Sequence, residues 1–182
     1  MINLQNKAAK DDMMKISSTV IENGYFLDSY GGHGTAFNET GVPTYSIPFK
    51  IEEAPENTKS FAVILYDLDA FETTKGFPWI HWVIGNLTRQ EILENESQTA
   101  TDFVQGINSW HSTLGANQSK ELSAYYGGMT PPDKTHVYTL KIVALDTQLD
   151  LKSGFYLNDL VAKMKGRILA TAEIDGKYRK LD

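Results

Sequence analysis

Apolar residues fall in short runs separated by turn formers, and their period changes once along the chain. Phe61 to Asp67 reads FAVILYD, residues 80–87 read IHWVIGNL and residues 136–146 read HVYTLKIVALD. Each run is rich in β-branched and aromatic side chains and predicts a strand. Upstream, Asn23-Gly24, the stretch Ser29-Tyr30-Gly31-Gly32-His33-Gly34 and Gly41-Val42-Pro43 mark turns between short strands. Later, Leu157, Leu160, Val161, Met164 and Ile168 recur at one-face helical spacing, with Asn158 as the expected N-cap. Thr88 and Glu91 have capping-box spacing and predict a short helical turn. ATAEIDGKYRK (170–180) predicts a hairpin closed at Asp175-Gly176. Many strands and one late helix predict a mainly β fold of two packed antiparallel sheets, rather than a doubly wound α/β enzyme. Residues 1–16 are polar and are expected to form a flexible or helical arm. With no repeat and no Pro/Ser-rich linker, residues 1–182 are expected to form a single domain.

Composition narrows the function classes. The 182 residues carry 17 Lys and Arg against 23 Asp and Glu, a net charge of −6. That balance argues against nucleic acid, which needs a basic footprint, and leaves room only for a local anion pocket. There is no cysteine. This excludes a disulfide scaffold, a thiol nucleophile and thiolate metal sites, and it fits a cytoplasmic protein. The first residues contain no apolar h-region, so no signal peptide is expected. No run approaches the roughly 18 apolar residues of a membrane span.

The polar residues of interest sit at strand ends. Asp67 and Asp69 close the first strong strand at i, i+2, a spacing that puts both on one face. His81 opens the second strand beside Trp79 and Trp82. His136 and Tyr138 open the third, again on one face, after the turn Tyr125-Tyr126-Gly127-Gly128-Met129-Thr130-Pro131-Pro132. Each group also has a plain structural use as a turn former or core residue. Together they predict convergence of two His, two Asp and one or two Tyr on one pocket. Gly31-Gly32-His33-Gly34 lacks the Lys-Ser/Thr and the strand–helix context of a phosphate loop. His111 falls in a polar stretch and is read as a surface loop residue.

The ordered blocks SIPFKIEEAPENTKSFAVILYDLDA, GFPWIHWVIGN, DFVQGINSW, YYGGMTPPDKTHVY and LATAEIDGKY cover most of residues 17–178. Their set D-x-D-A, H-W, Y-x-G-x-x-P-P and H-x-Y resembles the phosphatidylethanolamine-binding protein family (Raf kinase inhibitor-like), in its short bacterial and archaeal branch. The resemblance implies a β-sandwich-like fold with a small anion pocket at one end of the larger sheet. By motif position the polar groups of that pocket are Asp67, His81, His136 and Tyr138. Trp79, Tyr126, Pro131 and Pro132 are its walls, and Asp69 braces the mouth. Members of this family can carry a cis bond before the pocket Trp, and an aromatic residue before proline favours cis, so Phe77-Pro78 is expected to be cis.

Three departures stand out. Asp67-Leu68-Asp69-Ala70-Phe71 lacks both prolines of the family motif. His136-Val137-Tyr138 has Val in place of Arg, on the face turned away from the pocket. Thr130 stands where a smaller residue is usual and should tighten the rim. LATAEIDGKYRK lies close to residue 182, so no counterpart is expected to the C-terminal helix that lies beside the pocket in the eukaryotic branch.

The expected partner is a small anion, a phosphate group or a phospholipid headgroup. The expected role is binding without catalysis, with no cofactor and no metal. No Ser lies in a nucleophile elbow and no H-E-x-x-H spacing occurs. Two alternatives stay open: a kinase or protease inhibitor that engages a protein partner, and a hydrolase of a small phosphoester using His81, His136 and Asp67. Apolar groups near the rim, including Phe71 and Trp79, predict association as a homodimer.

Overall fold

The computed structural model describes residues 14–181. Residues 1–13 of the expected N-terminal arm lie outside the described residues, while Met14 is buried in the core and Lys15–Ser17 forms strand β1. The remaining strands are β2 (Ile21–Glu22), β3 (Tyr25–Phe26), β4 (Phe49–Glu52), β5 (Ser60–Asp67), β6 (Trp79–Leu87), β7 (Glu91–Ile92), β8 (Val104–Gln105), β9 (His136–Leu145) and β10 (Ile168–Tyr178). The α-helices are α1 (Phe71–Thr74), α2 (Lys120–Ser123) and α3 (Leu157–Met164).

Strands β1-β4-β7 form a small sheet, and β2-β3-β10-β9-β5-β6-β8 form a large one. All pairings are antiparallel except the contact of β3 with β10. Strand alternation explains the packing. Phe61, Val63 and Leu65 of β5 and Leu140, Ile142 and Ala144 of β9 face Phe49, Ile51 and Ile92 of the small sheet in one core. The opposite face of the large sheet presents Ala62, Ile64, Val83, Val143 and Leu145 to Leu160 and Met164 of α3. No helix among the described residues is long and apolar enough to cross a membrane.

Four local expectations are corrected. Asp175-Gly176 does not close a hairpin but lies inside β10, which runs unbroken beside β9. Gly176 is there because the Phe26 ring lies against it: a Cβ would sit 2.4 Å from a ring carbon. Thr88 opens no helix. Gln90 O accepts from Ile51 N and Glu91–Ile92 pairs with β4, so sheet pairing takes the segment. Helix α3 starts after Tyr156, whose N–H bonds to the Asp159 carboxylate, rather than after Asn158. It ends at Met164, and Gly166 (φ 73°) turns the chain so that Ile168 begins β10. The Phe77-Pro78 bond is trans, as no described peptide bond is cis. The chain turns instead through Lys75 (φ 60°) and Gly76 (φ 113°), where Gly76 N bonds to Phe71 O at the end of α1. The Thr74 hydroxyl holds the exit, donating to Phe77 O and accepting from Phe77 N.

Candidate functional site

The apolar inner face of the large sheet becomes polar at one end. Along β9, Leu140 is followed toward the N-terminus by Tyr138 and then His136 on the same face. Along β5, Leu65 is followed by Asp67. The register sets Asp67 directly opposite Tyr138 on one side and Trp79 on the other. Alternation alone would turn His81 away from this row, because Trp82 and Ile84 already face the core. A β-bulge corrects it. Leu65 pairs with Trp82 and Tyr66 with Ile80, which leaves His81 as the extra residue. The slip reverses the parity of everything before Trp82, so Trp79 and His81 join Asp67 and Tyr138.

These residues line a cavity of about 260 Å³. That is small beside the roughly 300–1,000 Å³ of sites for drug-sized ligands, and suited to a compact group. Pro131, Pro132 and Thr130 form one side. Ala70, Thr73, Thr74, Trp110 and Leu114 complete the lining. No Lys or Arg is among the lining residues.

The floor is densely hydrogen-bonded. Asp67 accepts the Ala70 N–H through Oδ1 (3.2 Å) and lies 2.7 Å from His136 Nδ1 through Oδ2. His136 is fully buried, and its Nε2 lies 2.7 Å from Asp133 Oδ1. Both ring nitrogens thus face carboxylate oxygens, an arrangement that two N–H donors satisfy. Partial burial raises the Asp133 carboxyl, but hydrogen bonds from His136 and from the Lys134 backbone outweigh it and hold the group below its usual pKa.

His81 is arranged differently. Its Nδ1 lies 2.6 Å from Gly127 O, which can only accept, so Nδ1 carries the hydrogen. Gly127 N–H in turn donates to His81 O (2.9 Å). Nε2 is buried and has no hydrogen-bond partner. Burial pushes the His81 pKa down, against the opposing pull of Asp67 and the backbone of Gly127 and Gly128. The ring is therefore neutral at neutral pH, and Nε2 is a bare acceptor. Tyr138 packs edge-on to it, with ring centroids 5.1 Å apart. Burial, reinforced by the Asp67 charge, drives the Tyr138 hydroxyl far above its usual pKa, so it stays a donor.

The outer wall is aromatic. Trp79 and Trp110 meet edge to face with centroids 5.2 Å apart, and both indole N–H groups are buried without a partner. Gly127 makes this possible, since a Cβ there would lie 2.3 Å from Trp110 Cδ1.

Two residues expected at the site lie outside the lining. Asp69 accepts the Val137 N–H (2.9 Å), tying the end of β5 to the start of β9 at the mouth. Tyr126 is turned into the core between the sheets, where its hydroxyl donates to Tyr30 O (2.5 Å) and its ring packs edge-on to Trp82. The backbone beyond it, at Gly127, serves the site instead. Sequence reasoning missed Trp110, Leu114, Thr73 and Thr74, which sit in polar stretches without periodicity. It also missed Asp133, whose only signal is its i, i+3 spacing from His136. His111 is half-buried, with Nδ1 2.7 Å from Gln118 O, so it is a loop-bracing residue.

The family profile of the phosphatidylethanolamine-binding proteins matches residues 17–179. The uncharacterized protein YxkA of Bacillus subtilis is 38% identical over 157 residues, covering 84% of this chain and 93% of its own. A UPF0098 protein of Methanothermobacter thermautotrophicus is 34% identical, covering 80% of this chain and 95% of its own. Among solved structures, the phosphatidylethanolamine-binding protein homologue CT736 of Chlamydia trachomatis superposes with a TM-score of 0.75 at 27% identity. It covers 93% of this chain and 99% of its own. YbcL of Escherichia coli, a member of the same family, gives 0.70 at 26% identity over the same shares. Profile, relatives and fold agree, and the chain belongs to the phosphatidylethanolamine-binding protein family.

Proposed function

We propose that the cavity at the end of the large sheet binds a phosphate group, free or carried by a phospholipid headgroup, and that the protein binds this group without transforming it. The observation that carries the reading is His81 Nε2, a buried polar atom with no partner on the wall of a small cavity. Buried polar atoms are rarely left unpaired, and a bound ligand is one way to satisfy them. Tyr138 and the Trp79 indole offer further donors within the same lining. The family name points to the same ligand class. A binding role rather than hydrolysis is supported by the state of His136, whose two nitrogens are both engaged with carboxylates and so offer no free base.

An anion oxygen needs a donor, so neutral His81 must take up a proton with the ligand. His81 is faced by Asp67, His136, Tyr138 and the Gly127 carbonyl. Affinity for a group of fixed charge should be greatest below the His81 pKa of the free protein. It should fall as pH rises through the His81 pKa of the complex. Glycerophosphoethanolamine is the suitable probe, because its phosphodiester does not titrate near neutrality. Calorimetry should show binding that weakens from pH 5.5 to pH 8.5, and a flat profile would contradict the reading. Location in the cytoplasm belongs to the same proposal and is tested by cell fractionation.

A second reading is favoured by the mouth of the cavity. Leu68, Phe71, Phe77 and Leu114 are 55%, 45%, 63% and 58% exposed on the two segments that border it. Such a collar suits association with a protein, first of all a second copy of this chain. Light scattering at high micromolar concentration should give a dimer mass, and a monomer mass would remove the homodimer.

A further inference from the structure

An imidazole has two hydrogen-bonding atoms, and the fold has committed both of those on His136. The inner one is permanent: Asp67 is a strand residue with a 4% exposed side chain, and it is held a second time by Ala70 N–H. The outer one is different. Asp133 lies on the short segment between Pro132 and β9, and a third of its side chain is open to solvent. It holds His136 through one oxygen, at 2.7 Å. Rotation about its own side-chain bonds would carry the carboxylate into water without moving a strand or opening the core.

A carboxylate and a phosphate group compete for the same kind of donor, since both offer anionic oxygens to an N–H. We infer that Asp133 is a displaceable internal ligand of His136, which an incoming phosphate group must expel before it can reach that ring. The inference rests on the reading of the cavity as a phosphate-group site and names the residue that sets its selectivity. With Asp133 in place, the cavity offers an anion His81, Tyr138, the indoles and the Thr130 hydroxyl, but not His136. A small singly charged anion gains too little from one contact to expel a charge-assisted hydrogen bond. A phosphate group, with several oxygens, can hold His81 and Tyr138 while replacing Asp133 on His136. Asp133 therefore lowers affinity for every anion and spares the multidentate one most.

The test is calorimetric titration with inorganic phosphate and, separately, with glycerophosphoethanolamine. Asp133→Ala should bind about tenfold tighter than the native chain, and Asp133→Asn, which keeps a neutral acceptor, should gain less. Glu72→Gln removes the same charge from the rim on α1 without touching His136, and should change affinity less than about twofold. The probe bound more tightly shows whether the source is a free phosphate or a headgroup. Thermal unfolding without ligand checks that the variants fold. Asp133→Ser serves where Asp133→Ala does not. Native affinity, or weaker, in both Asp133 variants would overturn the inference and leave the phosphate reading standing. Equal gains in Glu72→Gln and Asp133→Ala would reduce the effect to general charge and overturn it too. No binding of either probe by any variant would overturn both.

Discussion

The floor and the outer wall of the cavity are built on opposite terms. On the floor, Asp67, His136 and Tyr138 come from paired strands and are almost wholly buried. Asp67 meets His136 Nδ1 at 2.7 Å, and Asp133 meets the other ring nitrogen at the same distance. On the wall, Trp79, Trp110 and Leu114 are half-buried or exposed, and two indole N–H groups have no partner. His81 stands between them, one nitrogen satisfied by the backbone and one not. The contrast separates two duties. On the floor Asp67 and His136 tie the polar end of the fold together, whereas on the wall and at His81 polar atoms stay unpartnered. The proposed ligand would draw on both: His81 and the indoles directly, Tyr138 from the floor, and His136 once Asp133 leaves it.

The largest effect should follow from breaking the floor. Asp67→Ala leaves His136 buried with its inner nitrogen unpaired, and a buried polar group left without its hydrogen-bond partner costs up to about 3 kcal/mol. Urea unfolding should show a loss of that order, and a loss under about 1 kcal/mol would mean that the pair is not structural. Next comes the joint between floor and wall. Gly127→Ala forces a methyl against Trp110 and disturbs the reciprocal His81–Gly127 bonds. It should cost about 1–3 kcal/mol and also weaken ligand binding. A variant that unfolds like the native chain would show that the wall yields freely.

The third effect is a slope rather than a step. Burial holds the folded His81 pKa below its ordinary value. As pH falls, the unfolded chain takes up the proton first, so between the two pKa values stability rises with pH. The contribution is fully present above the unfolded pKa and is lost on acidification, by at most about 1.4 kcal/mol per pH unit. His81→Gln should flatten this slope relative to the native chain, and parallel profiles would contradict the neutral assignment. The smallest effect belongs to the wall alone. Trp110→Phe removes an unpaired donor and should alter stability by less than about 1 kcal/mol while lowering ligand affinity. Unchanged affinity would place the Trp110 indole outside the site.

The same contrast decided what could be read from the chain. The floor was legible because strand alternation is strict: Asp67, His136 and Tyr138 share a face by parity, and the runs around them carry a strong β pattern. The placement of His81 depends on a bulge that parity does not announce. Its place at a strand end and the family motif pointed to it, not parity. The wall was largely illegible, since Trp110, Leu114 and Thr74 sit in segments whose shape is set by tertiary contacts. Gly176 and Thr88 misled for a related reason. Each carries a local turn or cap signal that a long-range contact overrides, the Phe26 ring in one case and pairing with β4 in the other. Tyr126 is the converse case, a motif residue whose side chain serves the core while its neighbour's backbone serves the site.

The account rests most directly on His81 Nε2, and nitrogen-15 NMR of the imidazoles can watch that atom during titration with glycerophosphoethanolamine at neutral pH. The free protein should show His81 as a neutral ring with a bare Nε2 and a protonated Nδ1. Saturation should move Nε2 to the range of a protonated nitrogen. Saturable binding that leaves the His81 signals where they began would contradict the central claim.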